Sequence, residues 1–285
     1  MDTNIFKKTY LHLSLKLSIV VQIIAAVIQF FSMFMNVPPA YIILKQLLIL
    51  ENIVQVVQGS FYSWLIYNIK NETNITSKRY LDWVITTPIM LITLICYMIF
   101  LRKNNENNKN NGNNGNNEGS EGMQTIHDAQ NVEKNQKQLD IFSILHENSS
   151  IILVIVLLNS AMLLFGYLGE TNVIPIVWGV LIGFIPFIIY YYIIYIKFVK
   201  RDSYLVTGDT NDTNDRSEAI NKTRNINSKI LKLFLYFVFF WSLYGLIGFL
   251  PYYIKNTFYN IIDLFSKNFF GLLLSYLILV NSVNK

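Results

Sequence analysis

The chain holds one cysteine in 285 residues, Cys96, so no internal disulfide can form and cysteine usage says nothing about redox compartment. Charge is scarce as well. Only 14% of the residues are Asp, Glu, Lys or Arg, while 53% are hydrophobic. Soluble domains carry roughly 25% charged residues, so a soluble two-domain protein is excluded. The mean hydropathy of +0.37 agrees. There are three histidines and no internal repeat, and no metal site is expected. No small-residue cleavage site follows the first apolar stretch, which is too long for a signal peptide, so none is expected. The net charge of +5 would suit nucleic acid in a soluble chain. In a membrane chain, basic loop residues are the topology signal instead. The expected partner is a lipid bilayer, with no nucleic acid.

What is present is seven apolar segments, at about 10–35, 40–67, 79–101, 149–168, 173–198, 229–250 and 257–280. Each is near the ~20 residues that a spanning helix needs. The fold class expected is an all-α membrane protein, a seven-transmembrane-helix bundle forming a single domain over 1–285. Pro38-Pro39 makes a tight connection, Pro175 suits a first helical turn and Pro186 should kink its helix. Residues 104–117 contain ten asparagines. They have no apolar face to bury, so 103–147 reads as a disordered, Asn-rich cytosolic loop. Within it, 138–146 has a few apolar residues suited to an amphipathic turn. Basic residues number twelve in one set of loops and five in the other. The positive-inside rule then puts the N-terminus outside and the C-terminus in the cytosol.

Two of the apolar segments carry an acid and a base on one helix face. Arg79-Tyr80-Leu81-Asp82-Trp83-Val84-Ile85-Thr86-Thr87-Pro88 opens the third. Arg79 and Asp82 share one helix face, and Thr86 sits a turn further on. An interfacial Arg/Asp pair at a helix end is the plain alternative. A second pair decides the matter. Asp263 and Lys267 are i,i+4 in the last segment, and Lys267 lies ~15 Å inside its helix. A lysine at that depth must be paired, neutralised or covalently used. An amine in a dry pocket suits Schiff-base formation with an aldehyde. Asp82 and Asp263 are then available as counter-ions.

These segments, R-Y-x-D-W-x-x-T-T-P and D-x-x-S-K, resemble the third and seventh helices of the microbial rhodopsins. Trp241-Ser242-Leu243-Tyr244 resembles the sixth-helix W-x-x-Y of that family, and Trp178-Gly179 its fifth helix. Asn159, Met162 and Gly166 have the spacing of its fourth-helix ring contacts. The resemblance implies all-trans retinal joined to Lys267 and photoisomerisation as the primary event. It implies retinal contacts from Trp83, Thr87, Trp241 and Tyr244, with Met162, Gly166 and Trp178 near the ring. Asp82 becomes the proton acceptor with Thr86 as its hydrogen-bond partner, and Arg79 offsets the surplus charge. Gly245 and Gly248 depart from the family pattern, where proline and tryptophan are common, and should open space.

The outward pumps of the family carry a carboxylic acid eleven residues after the counter-ion. Here that position is Thr93. No acid lies between Trp241 and Asp263. Three polar stripes stand against these absences: Ser14, Ser18 and Gln22; Glu51, Gln55, Gln58 and Tyr62; Asn256, Asn260 and Asp263. Such side chains either bond neighbouring helices or line a hydrated path. With Asn268 beside Lys267, the pattern is similar to the viral-type rhodopsins, some of which act as light-gated cation channels. The expected ion path is Ser14, Gln22, Glu51, Gln55, Gln58, Asn260 and Asn268. The function expected is a light-gated cation channel. An outward light-driven proton pump and a sensory rhodopsin signalling through a partner are the alternatives. An enzyme is not expected, and a homo-oligomer is compatible with the reading.

Overall fold

The computed structural model describes residues 3–69, 74–113, 139–200 and 213–282. Seven of the helices are long and apolar enough to cross a membrane. In chain order they are α1 (Thr3–Ser32), α2 (Ile42–Asn68), α3 (Ile75–Asn113), a short α4 (Ile141–Glu147), α5 (Ser149–Glu170), α6 (Ile176–Ile194), α7 (Thr213–Ile247) and α8 (Tyr252–Val280). No strand occurs among the described residues.

The solvent that this bundle expects is written on α1. Its inward face is polar: Ser14, Ser18, Gln22, Gln29 and Ser32 are buried. Its outward face is apolar: Leu13, Leu17, Val20, Ile24 and Phe31 are exposed. A helix in water shows the reverse pattern. Lipid takes the apolar face, and the hydroxyls and amides find partners only inside.

The long helices pack as a ring, α1–α2–α3–α5–α6–α7–α8, closed by α8 against α1. α3 also touches α7 and α8 across the interior. α5 and α6 approach most closely at Gly169 and Gly179. A Cβ on Gly179 would lie 2.8 Å from the Gly169 Cα, so the backbones meet where no side chain fits. The turn between them places Asn172 at φ 59, a left-handed conformation that asparagine tolerates. Val173 then donates to Leu168 O at 3.0 Å, closing the end of α5.

Two boundaries differ from expectation. The disordered loop expected over 103–147 is helical at both ends. α3 continues to Asn113, because extending an existing helix carries no nucleation cost. α4 is fixed by its contacts. The Asp140 side chain caps it at Phe142 N, and Gln46 of α2 both donates to Asp140 and accepts from Ile141 N at 3.0 Å. Ile141 and Ile144 are buried in the core, and the amphipathic turn expected there is this helix. The remainder of the loop, 114–138, lies outside the described residues. Pro186 sits inside α6, which stays helical through it and ends in a π-helical turn at Tyr195–Val199.

Candidate functional site

Lys267 is held by α8 in the middle of the bundle, and only 2% of it is exposed. Its ammonium pairs with Asp82 Oδ2 of α3. Asp263 Oδ1, one turn earlier on α8, lies 3.8 Å away. Both aspartates are buried. An uncompensated charge at such a depth would be costly, and the three groups answer each other.

The two carboxylates have different surroundings. Tyr62 donates to Asp263 Oδ2 at 2.6 Å and Tyr244 donates to Oδ1 at 2.5 Å. Arg79 Nη1 is 3.4 Å from the same Oδ2. Asp82 Oδ1, by contrast, has no hydrogen-bond partner among the described residues. Thr86 does not supply one. Its hydroxyl donates to the Asp82 backbone carbonyl at 2.9 Å, as a helical threonine does when its own turn offers the nearest acceptor. The partnership expected between Thr86 and the carboxylate is therefore corrected.

Arg79 is fully buried and bound on every side. Its Nε donates to Asn256 Oδ1 at 3.1 Å and its Nη2 to Asn260 Oδ1. The rings of Phe61, Tyr62 and Tyr259 lie 5.6–5.7 Å from the guanidinium carbon, within cation–π range. Asn256 in turn donates to Thr76 Oγ1 at 2.9 Å.

Beside Lys267 runs a cavity of about 100 Å³. Trp83, Thr87, Met162, Gly166, Trp241 and Tyr244 all line it, as the sequence led us to expect. Trp178 does not: it is 59% exposed on the outer face of α6, and its neighbour Gly179 lines the cavity instead. Trp178 is about 100° round the helix from Gly179, on the side away from the cavity. Gly166 leaves room for Tyr80, whose hydroxyl would sit 2.6 Å from a Cβ there. Gly245 does not open the cavity, because Phe184 of α6 fills the space, 2.7 Å from where a Cβ would be. At Gly248 a Cβ would meet the Gly245 carbonyl at 2.9 Å and Val180 at 3.3 Å. Asn159 lies behind the wall and donates to Thr87 Oγ1 at 2.8 Å.

The expected ion-path residues come together on one seam between α1, α2 and α8. Asn260 donates to Ser14 Oγ at 3.0 Å, and Gln55 to Asn268 Oδ1 at 2.9 Å. Gln22 of α1 and Glu51 and Gln58 of α2 are buried as well. Polar atoms of Gln22, Gln29, Glu51, Gln58 and Asn268 have no partner among the described residues. Glu51 faces Thr93 across α2 and α3, though neither of its oxygens completes a bond of good geometry.

Several members of the site were not given a role from the sequence. Tyr62 was noted only for its place on the stripe of Gln55 and Gln58, and it bonds Asp263. Gly183, Phe184 and Phe187 line the cavity with no such signal, since α6 is apolar on every side. Tyr259 lines it from α8.

A cavity lined by aromatic rings, with an amine between two carboxylates at one wall, fits an elongated apolar aldehyde. The chain finds no significant match among curated proteins. Its structure is similar to that of a viral rhodopsin, OLPVRII, with 23% identity over 95% of this chain and 98% of that one, at a TM-score of 0.64. It is similar to a thermophilic rhodopsin from Rubrobacter xylanophilus, with 17% identity over 93% and 95% and a TM-score of 0.61. It is also similar to xanthorhodopsin, described as a light-driven ion pump with dual chromophore, with 14% identity over 97% and 94% and a TM-score of 0.60. At these identities the likeness shows the fold. The family is shown separately, by a match to the bacteriorhodopsin-like proteins over residues 10–113 and 138–281. The chain belongs to that family: it is a multi-pass membrane protein of the microbial rhodopsins.

Proposed function

We propose that the protein is a light-gated cation channel, with all-trans retinal held as a protonated Schiff base on Lys267. Bound there, retinal supplies light absorption and a change of shape at the nitrogen. The chain's residues do the rest. Asp82 is the counter-ion with an oxygen lacking a donor among the described residues, so it takes the proton when the nitrogen moves. Asp263 keeps its charge, matched by Tyr62, Tyr244 and Arg79. The N-terminus lies outside, which puts Arg79 and Asn256 toward the outer surface and Glu51 toward the cytosol.

The observation that carries the channel reading is the seam. Buried amides of α1, α2 and α8 and the Glu51 carboxyl of α2 have polar atoms with no hydrogen-bond partner among the described residues. Each unsatisfied group costs about 1–3 kcal/mol in a dry interior. Groups of that kind set in a line along neighbouring helices suit hydrated cations. The network of Arg79, Asn256, Asn260 and Ser14 closes the outer end in the dark.

A second reading, an outward proton pump, is favoured by one contact. Glu51 faces Thr93, the position where the outward pumps carry their proton donor. An acid reaching that place from α2 would do the same work. Photocurrent measured against voltage separates the two. A channel current reverses sign at a potential set by the ions; a pump current stays outward at every voltage and would overturn the channel reading.

A further inference from the structure

One ion pair inside the bundle has no part in the chemistry at Lys267. Lys255, in the first turn of α8, donates to both carboxylate oxygens of Glu170 at the end of α5, at 2.9 Å and 2.7 Å. The two side chains are only 9% and 8% exposed. A pair withdrawn so far from water is weak evidence for stability, because desolvation offsets the attraction. Its placement says more. Glu170 lines the cavity, whereas Lys255 stands behind it. The pair therefore turns its negative end toward the cavity. Lys255 precedes Lys267 by twelve residues on one helix, ~18 Å along the axis. The carboxylate is thus at the end of the cavity remote from the Lys267 nitrogen. Gly166, Gly179 and Gly248 build the wall at that end.

We infer that the Glu170–Lys255 pair is a colour-tuning dipole acting on the far end of the chromophore. This rests on the retinal reading of the cavity. A protonated polyene imine holds its positive charge mainly at nitrogen before excitation. Absorbing light moves positive charge along the polyene, away from nitrogen. A carboxylate fixed beside the far end stabilises the excited distribution more than the resting one. Low dielectric makes such a fixed charge effective. The band moves to longer wavelength, and the ammonium behind the carboxylate reduces the shift without cancelling it.

The test is the absorption maximum of full-length protein reconstituted with all-trans retinal. The double variant Glu170→Gln with Lys255→Met removes both charges and leaves no lone buried ion. Its maximum should move to shorter wavelength. Exchanging the charges, Glu170→Lys with Lys255→Glu, should move it further the same way. Lys255→Arg keeps the pair and should leave the maximum in place. Melting of the retinal-free variants reads any packing role separately. If the double variants take up no retinal, Glu170→Gln alone decides, because it leaves Lys255 as the nearer charge and should also shift the band to shorter wavelength. Maxima that stay put, or move to longer wavelength, overturn the inference while the retinal reading stands. A wild-type protein with no visible band overturns both.

Discussion

Tyr62 of α2 donates its phenolic proton to Asp263 of α8 across 2.6 Å. With Tyr244 at 2.5 Å and Arg79 at 3.4 Å, both Asp263 oxygens are occupied. Asp82 meets the same ammonium with one oxygen and has no partner at the other among the described residues. Two carboxylates flank one nitrogen, and their second neighbours make them unequal. The roles proposed for them follow from that difference.

Asp82→Asn should shift absorption to longer wavelength and slow loss of the proton from the nitrogen. The carboxylate stabilises the resting charge distribution, so removing it narrows the gap to the excited one. Flash photolysis and a spectrum of the variant check this. An unchanged spectrum with unchanged kinetics would move the acceptor role to Asp263.

Lys267→Ala should give a colourless protein after incubation with retinal. The variant also leaves Asp82 without its cation, and breaking a buried pair costs about 3–5 kcal/mol, so its melting temperature should fall. A visible band surviving in this variant would contradict the assignment.

Tyr62→Phe removes one donor from Asp263 and one neighbour from Arg79. Losing one partner of a buried hydrogen bond costs about 1–3 kcal/mol. The protein should bleach at a lower temperature while keeping a visible band. Thermal bleaching measured against wild type decides, and an unchanged midpoint would show that Tyr62 does not brace the site.

Thr93→Asp should speed reprotonation of the nitrogen after a flash, most clearly at high pH, where protons from solvent are scarce. It places an acid where the chain has a hydroxyl that donates to Ile89 O at 2.9 Å. Recovery in the wild type that is already fast and independent of pH would identify Glu51, across from Thr93, as an internal donor.

The charged centre around Lys267 was legible because its residues are anomalies. A lysine and two aspartates inside apolar runs stand out whatever the packing. The polar stripes of α1, α2 and α8 were legible for the same reason, since each marks one face of a helix otherwise made for lipid. The α6 side of the cavity was not. α6 is apolar on every side, so periodicity cannot say which residue faces inward, and Trp178 was placed inside where Gly179 belongs. Nor could spacing show Phe184 closing over Gly245, or Lys255 meeting Glu170 eighty-five residues away. Those contacts depend on how helices rotate and slide against each other, which one helix's pattern does not encode. The extension of α3 into the Asn-rich loop was missed because composition argued for disorder while an existing span argued for helix; the amphipathic turn at the other end was legible from its apolar residues, though not the Gln46–Asp140 contact that fixes it.

Glu51→Gln tests the conducting seam most directly. The substitution keeps size and hydrogen-bonding groups and removes the only carboxyl that α2 contributes to the seam. Photocurrents should be recorded against voltage in two cation compositions and scaled to the amount of folded, coloured protein. The channel account predicts a smaller current or a shifted reversal potential, with the absorption maximum little changed. A reversal potential and a current per folded protein equal to those of the wild type would contradict it, and would leave the outward pump as the reading to pursue.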